Sequence, residues 1–313
     1  MINIKDLKAG DANVTFTCLI NRAIVGKTSG ANRTNYITLT LQDATGTLDA
    51  KLWSATDEQI ATFVGGAVVR VTGDVIKYNL DRQMKVAKIV FVSDDENEAI
   101  KYVESAPISS DILIQEVEKY IGKIKNNNVF LITSKLFNDN IDKLKIYPAA
   151  SKNHHEFVSG LIYHTATMLE IAKSLIAIYP QLNSDLLYAG IVLHDLGKII
   201  ELSGPIVPEY TAEGRLVGHI SITNCMIKSK AEELGIEGEE VYLLQHIILS
   251  HHGKQEFGSP VLPQLKEAEI ISLIDNIDAR MIMMDKALDV VEPGEFTKRI
   301  FSLENRSFYK PKI

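Results

Sequence analysis

All eight histidines of this chain lie beyond residue 150: His154, His155, His164, His194, His219, His246, His251 and His252. Most stand in apolar runs: His164 in "GLIYHTATMLEI", His194 beside Asp195 in "GIVLHDLGKI", His219 in "VGHISI", and His251 with His252 in "IILSHHG". Asp275 adds a carboxylate in "SLIDNIDA". One imidazole on an apolar helix is ordinarily a satisfied core residue. Several helices that each deliver an imidazole or a carboxylate are how a bundle builds a metal centre in its core. Donors of this kind without thiolate suit Mn²⁺, Fe²⁺, Co²⁺, Ni²⁺, Zn²⁺ or Mg²⁺. His164, His194, Asp195 and Asp275 serve one ion in this reading. His219 and His251, with Asp195 bridging, hold a second about 3.5–4 Å away. A pair of ions suits in-line attack on phosphorus, because it activates a nucleophile and neutralises charge on the attacking and leaving oxygens.

Lys198 follows His194 by four residues and Asp195 by three, so on a helix it projects to the same side. It is a candidate catalytic residue that holds a phosphate oxygen, or it pairs with Asp195. Gly197 allows a close approach or marks a helix end. His252 is a further candidate for metal or substrate. His154 and His155 in "SKNHHEF" have two readings, contact with substrate phosphate or the leaving oxygen, and capping of a helix that begins near Glu156. His246 precedes His251 by five residues, about 140° around a helix, and reads as structural.

The elements that must position these groups follow from composition and periodicity. At 313 residues and 46% hydrophobic content, the chain has material for two domains with packed cores. The net charge of −7 argues against holding nucleic acid by bulk electrostatics and leaves room for a local groove. Residues 1–95 carry 11 Lys and Arg against 10 Asp and Glu; residues 96–313 carry 22 against 30, the side where carboxylate ligands belong. No apolar run approaches the roughly 20 residues of a membrane span, and "MINIKDLKAG" lacks a secretory pattern, so the expectation is a cytoplasmic protein without a membrane segment. Cys18 and Cys225 lie outside any CxxC spacing and are expected to be buried apolar residues.

From Asn13 to Val92 the pattern alternates and is β-branched, as in "NVTFTCLI", "YITLTLQD" and "KVAKIVFV", with one helical interruption near "TDEQIATFV". Five strands predict a small closed barrel over residues 1–95. The acidic stretch "DDENEAI" opens a linker over 96–108. From 109 to 291 apolar residues recur at helical spacing, and a tail over 292–313 has no predicted element. The fold class is α+β and multidomain, a five-stranded OB-like barrel followed by an all-α bundle. Barrels of this kind stack bases on aromatics while cations follow the backbone. The candidates are Arg33, Tyr36, Trp53, Tyr78 and Arg82, four of them in or beside "GKTSGANRTNY" and "KYNLDRQ", whereas alternation puts Phe16 in the core.

The order His164, His194-Asp195, Asp275 resembles the HD superfamily of metal-dependent phosphohydrolases, which implies that these four residues bind metal. "LSHHG" is similar to the HD-GYP branch, but "HHGKQEFGSP" replaces its GYP element, and Gly160 stands where that branch has a carboxylate for a third metal. Two ions at most are therefore expected. Over residues 10–290 the barrel, the linker, "YPAASKNHHEFVSGLIYHTATM", "LHDLGK", "GHI", "LSHHG" and "IDNIDARM" resemble the YhaM-type 3′→5′ exoribonucleases. That resemblance implies single-stranded RNA, and single-stranded DNA as a second candidate, trimmed to nucleoside monophosphates with Mn²⁺ favoured. A small-nucleotide phosphohydrolase, a cyclic-nucleotide phosphodiesterase and a non-enzymatic strand-binding module are the alternatives. A homo-oligomer is also compatible, the tail packing on a neighbouring subunit or closing over a substrate channel.

Overall fold

The computed structural model describes residues 2–29, 33–79, 81–150 and 157–313, so His154 and His155 lie outside the described residues. The chain divides into two compact units, residues 1–105 with 204–208, and residues 106–203 with 209–313.

In the first unit β1 (Val14–Lys27), β2 (Asn35–Asp43), β3 (Gly46–Leu52), β4 (Val68–Tyr78) and β5 (Asp81–Ser93) close into a barrel of order β1-β2-β3-β5-β4. β3 and β5 run parallel and the other neighbours antiparallel. Period-two alternation turns Leu48, Ala50 and Leu52 of β3 inward against Phe16, Leu39, Val71 and Met84, each large side chain contributing about 1.5–3 kcal/mol of burial. Between β3 and β4, α1 (Asp57–Thr62) starts at a capping box in which the Thr56 hydroxyl accepts from the Gln59 amide and the Gln59 side chain accepts from Thr56. Residues 96–105 fold with this unit. Here α2 (Glu96–Ala99) and a 3-10 turn over Ile100–Tyr102 bury Ala99 and Val103. Cys18 is buried as expected, but Cys225 is exposed, because it falls on the outward face of its helix.

The second unit holds α3 (Ser110–Ile121), α4 (Asn127–Asp139), α5 (Ile141–Leu144), α6 (Gly160–Ile178), α7 (Ser184–Leu193), α8 (Lys198–Glu201), α9 (Ala212–Glu233), α10 (Glu239–Ser250) and α11 (Lys266–Asp289). Side-chain caps set their starts: Asn126 for α4, Asn183 for α7 and Thr211 for α9 each accept a first-turn amide. α6, α7, α10 and α11 pack on one another around a core that includes Leu161, Met168, Leu187, Ile191, Ile247 and Ile271. α6 is long and apolar enough to cross a membrane, contrary to the expectation that no run is. In the fold it is a core helix, with Leu161, Ile162, His164 and Met168 buried.

The tail is also ordered beyond expectation. Isolated bridges join Phe296 to Tyr309 and Ile300 to Arg306, Lys310 Nζ donates to the carbonyls of Leu288 and Val291 at the end of α11, and Arg280 donates to both oxygens of Glu304.

The run "GIVLHDLGKI" is not one helix. α7 ends at Leu193, residues 194–197 form a turn, and α8 begins at Lys198. Gly197 explains the tight turn. Its amide donates to Thr223 Oγ1 at 2.8 Å, and a Cβ there would overlap the His219 carbonyl. Gly190 does the same for packing, since a Cβ would lie 2.5 Å from Ile271 Cδ1 and 2.7 Å from Ile247 Cγ2, both fully buried. Gly190→Ala should therefore cost about 1–3 kcal/mol, read as a lowered urea midpoint of the helical signal. An unchanged midpoint would contradict this packing.

Candidate metal centre

Helix ends and helix faces both deliver the polar groups. α6 carries His164 in its second turn, the C-terminus of α7 presents His194 with Asp195 following in the turn, and α11 places Asp275 and Asp278 one turn apart. α9 breaks at Gly218, whose φ of 76° and ψ of 149° are non-helical, so His219 opens a new helical segment. α10 stops at Ser250, leaving His251 and His252 at its end.

Five imidazoles are anchored in the same way. The Nδ1–H of His194 donates to the Ile191 carbonyl at 2.8 Å, that of His251 to Ile248 at 2.7 Å and that of His252 to Phe257 at 2.8 Å. His164 donates to Asp278 Oδ2 at 2.6 Å and His219 to Glu201 Oε1 at 3.0 Å. A carbonyl or carboxylate can only accept, so each Nδ1 carries a proton and each Nε2 is the ring's ligand atom. Those Nε2 atoms converge. His194 Nε2 lies 3.3 Å from His164 Nε2 and 3.3 Å from Asp195 Oδ2; His219 and His251 Nε2 lie 3.4 and 3.8 Å from Asp195 Oδ1. Asp275 Oδ1 joins at 3.2 Å from His164 Nε2.

Two donor groups result, His164 with His194 and Asp195, and Asp195 with His219, His251 and His252, the ligand atoms in each lying within 4.8 Å of one another. Asp195 belongs to both. Asp195 Oδ1, His219 Nε2 and His251 Nε2 are buried with no hydrogen-bond partner among the described residues. Lone pairs that face one another in a buried space are costly unless a cation lies among them, so the donors fit divalent metal.

Burial raises the Asp195 carboxyl, but the charges of Lys198 and His194 outweigh it and hold the group well below the usual range. Burial, with His252 and His194 as neighbours, pushes His251 well below the ordinary histidine value and keeps it a neutral ligand. His164 goes the other way: burial lowers it, yet hydrogen bonds to Asp275 and Asp278 bring it up to about 9. In the metal-free protein a proton at His164 thus supplies the positive charge that the carboxylates demand. Lys198, pulled down by burial and up by Asp195, ends above its ordinary value, and its ammonium sits 2.6 Å from Asp195 Oδ2.

The structure brings together His164, His194, Asp195, His219, His251, Asp275, Lys198 and His252. His246 stands apart, its Nε2 accepting the Gln264 amide at 2.9 Å. Sequence reasoning missed Asp278 and Glu201, the acceptors that orient His164 and His219. The available signals were Asp278 one turn after Asp275 in "DNID" and a carboxylate closing the apolar run "HDLGKIIE".

On the barrel, Tyr36 lies flat across Gly26, where a Cβ would overlap its ring. Trp53, 46% exposed, lies beside it with ring centroids 5.1 Å apart and planes tilted by 44°, and Lys51 Nζ sits 4.9 and 5.0 Å from the two ring centroids. Lys51, unmarked in the sequence reading, pairs in register with Lys85 on the adjacent strand. Tyr78 is exposed at the end of β4 and Arg33 is exposed between β1 and β2, while Phe16 is in the core. Arg82 donates from its Nη1 to the carbonyls of Ile4 and Leu7 and fastens the N-terminal turn to the barrel.

Comparison with known proteins agrees with both halves. Residues 161–280 match the HD domain and residues 23–92 match an OB-fold nucleic acid binding domain. Among solved structures, the second OB-fold domain of replication protein A from Methanococcus maripaludis covers 29% of this chain and 94% of its own, at 19% identity and a TM-score of 0.26. The 3′-5′ exoribonuclease YhaM of Geobacillus sp. (strain WCH70) is 49% identical over 92% of this chain and 89% of its own length. Those of Halalkalibacterium halodurans and Bacillus subtilis are each 51% identical, over 92% and 90% of this chain and 90% of their own lengths. Half of the residues shared across nine-tenths of both lengths leave one conclusion: the chain belongs to the family of the 3′-5′ exoribonuclease YhaM.

Proposed function

We propose that the protein is a metal-dependent 3′→5′ exoribonuclease that shortens single-stranded RNA, with single-stranded DNA as a second substrate, releasing nucleoside monophosphates in the cytoplasm. The observation that carries this reading is the convergence of five anchored imidazoles on Asp195, whose Oδ1 is buried among Nε2 atoms. His164, His194, Asp195 and Asp275 would hold one ion, and Asp195, His219, His251 and His252 the other. Divalent metal bound there, Mn²⁺ by preference, would supply Lewis acidity toward the attacking nucleophile and charge for the oxygens of the displacement.

The chain's own residues do the rest. Asp195 stays ionised and bridges the two halves, and Lys198 fixes its Oδ2 while keeping a permanent charge available to a phosphate oxygen. The division of labour follows the chain, with residues 1–95 gripping the strand and 109–291 cutting it. Tyr36 and Trp53 stack bases, Lys51 accompanies the backbone, and the exposed Arg33 and Tyr78 are further contacts. A platform of two aromatics suits a long strand better than a lone nucleotide, since each stacked base adds about 1–3 kcal/mol.

A 5′-labelled single-stranded RNA incubated with the protein and Mn²⁺ should shorten stepwise from its 3′ end, and an intact RNA across several divalent metals would overturn the reading. In that assay Asp195→Asn should lose about 10³-fold or more of the rate while the protein stays folded, because several kcal/mol of charge stabilisation goes with the bridge. Trp53→Ala should raise KM about 5-fold or more with kcat unchanged; an unaltered KM would remove the platform from the substrate path. Because His164 holds its proton up to about pH 9 without metal, an ion must displace that proton, and acidity competes. Mn²⁺ affinity should therefore rise with pH between about 6 and 9, by up to about tenfold per unit for a single proton, and equilibrium dialysis across that range checks the sign.

A further inference from the structure

Glu201 ends α8 at 8% exposure, and one of its oxygens has two tasks. Oε1 accepts the backbone N–H of His219 at 3.0 Å and the Nδ1–H of the same residue at 3.0 Å. That amide is available because Gly218 interrupts α9, so the segment from His219 to Glu233 begins with amides that have no helical carbonyl behind them. A carboxylate there meets the positive end of the new segment and also sets the imidazole tautomer. A Cβ on Gly218 would meet nothing within 4 Å, so it is the left-handed φ of 76° alone that calls for glycine.

Glu201 is itself fixed in place. Its carbonyl accepts the Thr211 amide at 2.9 Å, and Gly214 approaches so closely that a Cβ would overlap that carbonyl. His164, in the other half of the centre, has a separate carboxylate, Asp278 of α11, at 2.6 Å.

We propose that Glu201 is the positioning residue for the second ion: by gripping both the backbone and the ring of His219, it sets the affinity of the His219, His251 and His252 half independently of the half that Asp278 supports. This rests on the two-ion reading above. A carboxylate on Nδ1–H orients the ring and raises the basicity of Nε2, and its loss typically costs 10–100-fold in metal affinity.

The test is a titration of the metal-stripped, full-length protein with Mn²⁺ by equilibrium dialysis with metal analysis. The wild type is expected to show two classes of ion. Glu201→Gln keeps the shape and the accepting oxygen while removing the charge; it should weaken one class about 10–100-fold and leave the other unchanged. Asp278→Asn should weaken the other class. Thermal unfolding without metal reports that each variant is folded, and raised Mn²⁺ should restore the exonuclease rate of Glu201→Gln, which damage to the fold would not allow. The proposal is overturned if Glu201→Gln weakens both classes alike or neither, or if the two variants act on the same class. A wild type that binds a single ion overturns the two-ion reading, and with it the proposal, so the wild-type curve separates the two failures.

Discussion

The helical unit is built around a repulsion. Asp195 Oδ1 faces the Nε2 atoms of His219 and His251 with no hydrogen-bond partner among the described residues, while the Nε2 atoms of His164 and His194 stand at hydrogen-bond distance, 3.3 Å, which requires a proton on one of them. Each ring is held in this posture by an acceptor at Nδ1, so no flip or change of tautomer relieves it without losing a hydrogen bond. Buried charge left uncompensated costs several kcal/mol. The arrangement is stable only with positive charge in its midst, supplied by the proton on His164 in the metal-free protein and by divalent metal when it is bound. The helix breaks follow from the same constraint. α7 stops before His194, α9 breaks at Gly218 and α10 ends at Ser250, so His194, His219, His251 and His252 leave helix ends to meet His164 and Asp275, which project from the faces of α6 and α11.

This also explains which parts were readable in advance. Residue type carries the signal for metal donors, so His164, His194, Asp195, His219, His251 and Asp275 stood out from apolar surroundings. Period-two alternation likewise specified five strands and a buried Phe16. The anchoring acceptors were not readable. Carbonyls of Ile191, Ile248 and Phe257 belong to the backbone and have no letter in the sequence, and Glu201 and Asp278 resemble any surface carboxylate until the fold buries them. Periodicity also ran through the real end of α7, because His194 and Gly197 keep helical dihedrals while the hydrogen-bond pattern changes. The acceptors of Arg82 were equally unreadable, because the carbonyls of Ile4 and Leu7 are more than seventy residues away and belong to backbone.

The barrel solves a different problem. With a net charge of −7 the protein has little bulk attraction for a polyanion, so any grip on a strand must be local. Gly26 leaves room for the Tyr36 ring, Trp53 lies next to it, and Lys51 places a cation beside both rings. Stacking tolerates any base.

The central claim is that Asp195 is shared by two ions. Diffraction from crystals of the protein soaked in Mn²⁺, collected at the manganese absorption edge, tests it most directly. Two anomalous peaks should flank Asp195, one bounded by His164, His194 and Asp275 and the other by His219, His251 and His252. A single peak, or peaks away from the Asp195 carboxylate, would contradict the account.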